Sequence, residues 1–343
     1  MKYKQKAVFL ASLAVVLSVI YVLTFIFDPG SERSSSFAWL PASLLDLADR
    51  IEISGPGGTS VLSRKNNIWV FTAGTGEDNR SLISPEFSGE YPVKQAKVND
   101  LLAVLSRKDT YPLRAGTAAA REKLGLGEGS SSRIIVRGGA GLPLLDLYLG
   151  ISDALGREVY LKRAGKNEIY SGEDRFTVYT DSKPQSWYDL RLFPDSVNIQ
   201  EVQQAEVTRL EIDETGSQRE SFVLRRSGGG WIIPGNENTL LESTLVDAWL
   251  RSVLEAEGED FSFFFPAPAN GSIVLWLGDG STRVIETCNY SVVPAGAAAD
   301  NHGSPEEDGQ KRLAARVSGS DLVYVLSERT ANRLFRDGSY FYK

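Results

Sequence analysis

The chain has very few of the side chains that carry metal, redox and nucleophilic chemistry. Its 343 residues include one cysteine, Cys288, one histidine, His302, and one methionine, Met1. A single cysteine cannot form an internal disulfide, and it excludes zinc and iron–sulfur sites built from clustered cysteines. The sequence therefore predicts no cofactor and no metal site.

Positive charge is also in deficit. The chain has 37 lysines and arginines against 44 aspartates and glutamates, which gives a formal net charge of -7. Nucleic-acid binding needs a basic face that releases counterions from phosphates, and no block of basic residues in this sequence is longer than a short pair. Glycine-rich stretches at residues 55–58, 138–141 and 228–230 lie between predicted strands, whereas a phosphate-binding loop joins a strand to a helix. We therefore expect neither a nucleic acid nor a nucleotide as a partner.

One long apolar run stands near the N-terminus. Residues 7–27 contain no charged side chain, and their length suits a helix that spans a bilayer. Lys2, Lys4 and Lys6 precede the run, which places the N-terminus in the cytoplasm and the bulk of the chain in the periplasm or outside the cell. A cleaved signal peptide is the alternative, but its apolar core is shorter and a small-x-small site follows it. The sequence predicts a retained, single-pass anchor in a bacterial inner membrane.

The remaining chain contains an internal repeat. Residues 50–71 and 208–233 both read as two strands joined by a polar turn, then a tight turn and a third strand that carries a tryptophan, Trp69 or Trp231. The Asn-Asn and Gly-Gly pairs before these tryptophans supply the positive φ angles that such turns need. The pattern predicts a three-stranded meander at the start of each of two tandem units.

Each meander precedes further matched elements. The spacing of apolar residues predicts one helix over residues 98–105 and another over residues 245–254. Hairpins then follow over residues 134–149 and 273–287, and short closing strands complete each unit. The prediction is an α+β fold: an N-terminal transmembrane helix, then two tandem β-rich units, each with a meander, one main helix and a second hairpin.

The predicted organisation has four parts. They are a cytoplasmic tip with the transmembrane anchor (1–30), a tether with a short helix (31–48), a first repeat unit (49–195) and a second repeat unit (205–343). The second unit contains an insert over residues 294–310 that is rich in alanine, glycine and aspartate and has no apolar period. We expect this insert to be a flexible surface loop.

Several short motifs of the first unit point to a known family. They are KLGL at residues 123–126, a Leu-Gly strand end at residues 149–150, VYL at residues 159–161 and WYDLRL at residues 187–192. Together with the Trp-bearing meander before them, they resemble the bacterial DUF4340 domain family. The resemblance covers most of residues 49–193 and, more loosely, the second unit. It implies a membrane segment, tandem units and, for some members, a place beside gliding-motility-type ABC transporters. It supplies no catalytic residues that can be assigned to positions of this chain.

Neither of the two reactive side chains is placed for catalysis. His302 lies in the predicted loop, which cannot hold a catalytic geometry, and Cys288 has no neighbouring cation in the sequence that would lower the pKa of its thiol. Acidic clusters at residues 173–174, 255–260 and 306–308 do not complete a calcium-loop pattern. The sequence therefore predicts no catalytic, cofactor-binding or metal-binding residues.

Three functions remain open at this point. The anchor and the repeat favour a non-enzymatic accessory or scaffold protein that binds another envelope component, such as an ABC-transporter-associated complex. A glycan-binding module would use Trp69, Trp231 or Trp249 as a stacking platform, although their spacing favours the core. A carboxylate-dependent hydrolase is the third hypothesis. The aromatic run at residues 261–265 is either a buried strand or an exposed docking edge.

Overall fold

The structure is a computed structural model that describes part of the chain. The described residues are 17–18, 34–56, 58–72, 90–127, 129–195, 197–213, 216–236, 241–262, 265, 268–290 and 312–342. They divide into two compact units, the first within Met1–Gly57 and Val98–Ser182, the second within Gly58–Lys97 and Lys183–Lys343.

Strands are the main regular elements of both units. In chain order they are β1 (Ser34–Phe37), β2 (Ala48–Gly55), β3 (Gly58–Lys65), β4 (Ile68–Thr72), β5 (Glu90–Pro92), β6 (Asp109–Ala115), β7 (Ser132–Gly138), β8 (Pro143–Ser152), β9 (Glu158–Arg163), β10 (Ile169–Glu173), β11 (Val202–Asp213), β12 (Gly216–Ser227), β13 (Gly230–Ile232), β14 (Asp260–Ser262), β15 (Gly271–Leu277), β16 (Thr282–Tyr290), β17 (Arg312–Val317) and β18 (Val323–Leu326). The α-helices are α1 (Gln95–Ser106), α2 (Ala118–Lys123), α3 (Ser243–Leu254) and α4 (Glu328–Leu334). Short 3-10 helices cover Ala42–Leu47, Gly139–Gly141, Thr177–Tyr179, Pro184–Ser186, Ile199–Glu201 and Gly338–Phe341. The predicted β-rich α+β class is confirmed.

The two units arrange their strands in the same order. In the first unit the neighbours run β6-β10-β9-β8-β7-β2, and in the second they run β14-β18-β17-β16-β15-β11. The hairpins β3-β4 and β12-β13 also match, and their turns have the expected positive φ angles at Asn66 and Asn67 and at Gly228 and Gly229. The unit boundaries predicted near residues 195 and 205 stay a prediction, because the compact units are defined by packing and the repeat by strand order.

The main helices lie where the apolar spacing predicts them. Helix α1 buries Val98, Leu101 and Leu105, and α3 buries Trp249 and Val253 among others. Apolar spacing alone would also place Leu102 and Leu245 on the inner faces, but both are only half-buried. Val98 of α1 and Val246 of α3 are fully buried.

The segment before β2 differs from the prediction. Residues 31–36 read as a polar tether, yet Ser34–Phe37 forms β1, which pairs antiparallel with β6. Phe37, the last residue of β1, explains this strand. The centre of its ring is 4.9 Å from the ring centres of both Trp39 and Tyr111. This aromatic contact fixes the polar residues before it into a strand, because burial of the rings offsets the cost of ordering them. The predicted short helix is a 3-10 helix over Ala42–Leu47.

The predicted membrane anchor falls on residues that the structure leaves out. Among the residues that it describes, no helix is long and apolar enough to cross a bilayer. Residues 7–27 lie outside them apart from Leu17 and Ser18. The anchor therefore stays a prediction.

Strand alternation places a charged surface on the first unit. Ile51, Ile134 and Leu147 point to the core with no measurable exposure. Because successive side chains of a strand point to opposite faces, the residues between them form an outer face. On β2, β7, β8 and β9 that outer face carries Arg50, Glu52, Arg133, Arg137, Asp146, Tyr148 and Lys162. Two features of this face are candidates for function.

Candidate functional site

The first candidate is an open groove where β2 and β7 end. It has a volume of about 510 Å³ and is lined by Asp49, Arg50, Glu52, Arg137 and the turn 138–141; we call it the β2–β7 groove. Its turn is tight, since the Gly138 amide donates to the carbonyl of Leu142 at 2.8 Å. A Cβ atom on Gly138 would lie 2.8 Å from the carbonyl oxygen of Leu47, so glycine is required at this close approach.

Charged side chains on the floor of the groove neutralise one another. Nε of Arg50 and Nε of Arg137 both donate to Oε1 of Glu52, at 2.9 and 3.0 Å. Asp49 supplies a second carboxylate beside the turn, 3.4 Å from the position of a Cβ atom on Gly139. The groove thus offers both signs of charge rather than a field of one sign.

Apolar side chains stand next to this charged floor. Leu142 directly follows the turn and is 59% exposed, and Leu47, whose carbonyl meets Gly138, is 50% exposed. Exposed leucines beside paired charges give the surface the mixed character of many protein-protein contact sites.

The second candidate lies further along the same sheet face. Arg133, Tyr148 and Lys162 are directly opposite one another across β7, β8 and β9. The guanidinium of Arg133 lies 4.9 Å from the centre of the Tyr148 ring, and Nζ of Lys162 lies 5.4 Å from it. Asp146 of β8 and Arg121 of α2 complete the group. We call these five residues the lysine cluster.

The charges of the lysine cluster are not balanced. Arg133 donates two hydrogen bonds to Asp146, at 2.8 and 2.6 Å, and this bidentate contact raises the pKa of Arg133. Lys162 is only 7% exposed. Burial lowers the pKa of Lys162, and the charge of Arg121 lowers it further, while Asp146 opposes them. Since Asp146 is occupied by Arg133, Arg121 and Lys162 form a surplus of positive charge.

One comparison with known proteins identifies the family. A family model described as domain of unknown function (DUF4340) matches residues 88–270, more than half of the chain. The chain belongs to the DUF4340 family. The resemblance seen in the sequence is therefore confirmed. No curated protein and no solved structure matches the chain.

The DUF4340 match includes most of the two candidate features. It spans β7, β8, β9 and α2, and so contains every member of the lysine cluster. It also contains the turn of the β2–β7 groove, whereas β2 lies before its first residue.

The three tryptophans proposed as a glycan platform are buried in the DUF4340 chain. Trp69, Trp231 and Trp249 are 3%, 4% and 2% exposed. The indole N–H of Trp231 donates to Asp247 at 3.2 Å, and that of Trp249 donates to the carbonyl of Leu334 at 2.8 Å. These rings therefore present no open face for stacking on a sugar.

Of the two reactive side chains, the structure describes Cys288 but not His302. Cys288 lies on β16 and is 2% exposed, and burial raises the pKa of its thiol while the charge of Arg316 opposes that shift. The expectation of no local cation thus missed Arg316, which comes from the neighbouring strand β17. His302 and the rest of the insert lie outside the described residues.

The acidic and aromatic segments contribute to local structure. Among the residues that the structure describes, no three His, Cys, Asp or Glu side chains are grouped as metal ligands. Glu255 and Glu257 line a small cavity of about 190 Å³ with Arg333. In the aromatic run, Phe261 lies on β14, is 8% exposed and stacks on Tyr91 at 5.1 Å.

Sequence reasoning did not single out either candidate feature. The sequence signal for the second feature is the alternation of apolar and polar residues along β7, β8 and β9. It predicts that Arg133, Tyr148 and Lys162 face away from the core. Alternation gives the face of each side chain but not its neighbours, because the register between strands depends on turns and bulges. Arg121 comes from a separate helix, so its approach to Lys162 could not be predicted from spacing.

Proposed function

We propose that the chain is a membrane-anchored, extracytoplasmic accessory or scaffold protein that binds another envelope component through the β2–β7 groove. The observation that carries this proposal is the mixed surface of the groove, where Leu47 and Leu142 are exposed beside the Arg50–Glu52–Arg137 ion pairs. Residues 7–27 would hold the protein in the membrane. An ABC-transporter-associated complex is the partner that the family resemblance suggests.

The shape of the groove favours a protein partner over a small ligand. Small-molecule sites enclose about 70–90% of the ligand surface, and this groove is largely open to solvent. Its internally paired charges provide complementary contacts that set orientation and specificity more than affinity. Exposed leucines beside them add apolar area that a partner would cover.

The two alternative functions have less support. A glycan platform needs exposed rings, and the three candidate tryptophans are buried. A carboxylate-dependent hydrolase needs an acid with a raised pKa. The carboxyl groups with a shifted pKa in the described residues are Asp153, Asp189 and Asp279, and all three shift downward.

Site-specific photo-crosslinking in intact cells tests the partner surface. A photoreactive amino acid replaces Leu142 beside the groove or, as a control, Leu155. Leu155 is 68% exposed and lies past the other end of β8, so it differs from Leu142 in position but not in apolar character. We expect a discrete adduct with an envelope protein from position 142 and none from position 155. Equal labelling at both positions, or none at either, would contradict a partner at this groove.

Fractionation tests the anchor separately. We expect the protein in the inner-membrane fraction with an N-terminus at or near Met1, because the apolar run has no clear cleavage site. A mature N-terminus after residue 28 would show that the run is a cleaved signal.

A further inference from the structure

Two arginines stand opposite each other on the floor of the β2–β7 groove. Arg50 of β2 and Arg137 of β7 are register partners in the antiparallel pair, and both line the groove. Side chains that are directly opposite on neighbouring strands have Cβ atoms about 4.5–5.5 Å apart, so like charges there repel each other. Arginine does not lose its proton in proteins. Only negative charge placed beside the pair can therefore relieve the repulsion.

A single carboxylate oxygen serves both arginines. Nε of Arg50 and Nε of Arg137 donate to the same atom, Oε1 of Glu52. Among the residues that the structure describes, the two guanidinium groups make no other hydrogen bond and no other ion pair. The two arginine side chains are 49% and 33% exposed, so their terminal Nη atoms are accessible to a partner. Two cations that share one carboxylate leave a surplus of one positive charge.

The second carboxylate of the groove does not join this group. Asp49 is an extra residue of β2, since the register with β7 shifts between Ala48 and Arg50. Such a bulge turns a side chain away from the regular direction of the ladder. Oδ2 of Asp49 lies beside the turn, 3.4 Å from the position of a Cβ atom on Gly139, and in the described part of the chain it forms no ion pair with either arginine. Asp49 thus balances the total charge of the groove without pairing with the arginines.

The second unit has the same bulge without the arginines. Strands β11 and β15 take the places of β2 and β7, and their register shifts in the same way between Val202 and Gln204. Gln204 and Trp276 are then opposite each other, where the first unit has Arg50 and Arg137. The bulge is therefore part of the repeated architecture, and the fold does not require two arginines at this position.

We propose that Arg50 and Arg137 bind the carboxylate of an aspartate or glutamate side chain in the partner protein. Because the partner is the one proposed above for the β2–β7 groove, this assignment rests on that function. A guanidinium is a planar fork of donors that matches a carboxylate, and such charge-assisted pairs are among the stronger hydrogen bonds. A second carboxylate gives the group two cations and two anions. Leu47 and Leu142 are exposed nearby, so we expect an apolar residue next to the acidic one in the partner.

Charge variants of the groove, combined with the photoreactive amino acid at position 142, test the assignment in intact cells. Arg50→Gln and Arg137→Gln should each lower the adduct yield by about tenfold or more at matched protein abundance, since each removes a charged hydrogen bond. Asp49→Asn should raise the yield by about twofold, because it removes a charge that repels a carboxylate. Arg157→Gln is the control. It removes a positive charge from the exposed turn after β8 and should change the yield by less than about twofold.

The outcomes distinguish this assignment from the function on which it rests. A discrete adduct that neither arginine variant weakens would overturn the carboxylate assignment and leave the groove as the contact surface. A yield that rises in the arginine variants and falls in Asp49→Asn would identify a basic partner, and would overturn the assignment too. Absence of any adduct from position 142 in the otherwise unsubstituted protein would contradict both.

Chemical coupling detects the partner carboxylate directly. In Arg137→Lys the new side chain ends in an amine, which a water-soluble carbodiimide joins to a neighbouring carboxylate as an amide, the lost water being taken up by the carbodiimide. A guanidinium does not couple in this way. In membranes that contain this variant, we expect a cross-linked peptide that joins position 137 to an aspartate or glutamate of the partner, and no such peptide from the wild type. Coupling of position 137 to Glu52 alone would overturn the proposal.

Thermal melting controls for folding. Exposed ion pairs contribute little to stability, so the arginine variants should melt within about 4 °C of the wild type. If Arg50→Gln or Arg137→Gln melts lower than this, its loss of adduct is attributed to unfolding. The coupling experiment then decides, because Arg137→Lys keeps the positive charge beside Glu52.

Discussion

Corresponding strands of the two units carry different outer faces. In the first unit, β7, β8 and β9 hold the Arg133–Asp146 pair and the unpaired Lys162. Strands β15, β16 and β17 take the same places in the second unit, and there Glu286 pairs with Arg316 across β16 and β17. The core sides of both sheets are mainly apolar. Strand order is thus shared, whereas the charged side chains of the outer face differ between the two units.

The Trp-bearing strands of the two repeats share a buried ring but differ in the polar contacts around it. At Trp69 the side chain of Gln95 binds the backbone, accepting from the Trp69 amide at 2.9 Å and donating to its carbonyl at 2.7 Å. At Trp231 the helix residue Asp247 instead accepts from the indole N–H, and Arg226 stacks on the ring at 4.7 Å. Both rings are buried, so the apolar position is common to the repeat and the polar contacts around it are not.

The largest expected effect is a loss of stability when the buried tryptophan shared by the two repeats is removed. Trp69→Ala and Trp231→Ala should each lower the free energy of unfolding by about 3–5 kcal/mol, because each empties a buried aromatic site. Urea denaturation followed by far-ultraviolet circular dichroism measures the loss. Ile68→Ala is the matched control, since Ile68 is 56% exposed on the same strand as Trp69. A tryptophan variant no less stable than this control would show that the ring is not a core element.

A second pair of variants tests the difference between the outer faces. Asp146→Asn leaves Arg133 without its carboxylate beside two further cations, and we expect a loss of about 2 kcal/mol. Glu286→Gln should cost less than about 1 kcal/mol, because Glu286 and Arg316 are 35% and 54% exposed and water screens their pair. Thermal unfolding of the two variants under identical conditions gives the comparison. Equal losses would mean that the cluster has no special charge balance.

The sequence predicts the shared features better than the distinct ones. Trp69, Trp231 and the leucines of α1 follow from apolar spacing and from turn residues, which are local signals. The Asn66-Asn67 and Gly228-Gly229 turns have the positive φ angles expected of them. The lysine cluster depends on register and on the packing of α2, and neither is encoded in a local pattern. β1 is a related case, because its pairing depends on the distant ring of Tyr111.

A smaller effect concerns pH and the surplus charge. The pKa of Lys162 in the folded protein lies below the ordinary value of 10.5, so the unfolded chain binds this proton more tightly. Stability contributed by this site therefore rises as pH rises through the folded pKa toward 10.5. Lys162→Met should be more stable than the wild type at neutral pH, and the difference should shrink toward pH 10.5. A difference that grows with pH would contradict a desolvated, unpaired lysine.

The smallest expected effect concerns the two reactive side chains. Cys288→Ala and His302→Ala should leave the cellular role unchanged. Cys288 is 2% exposed, and because burial raises the pKa of its thiol, little thiolate forms at neutral pH. Iodoacetamide should accordingly label it far more slowly in the native protein than in urea. His302 lies in the predicted surface loop. Complementation of a deletion strain, at matched protein abundance, measures the role. A folded, abundant His302→Ala protein that fails to complement would reveal an overlooked site and would return the hydrolase hypothesis to consideration.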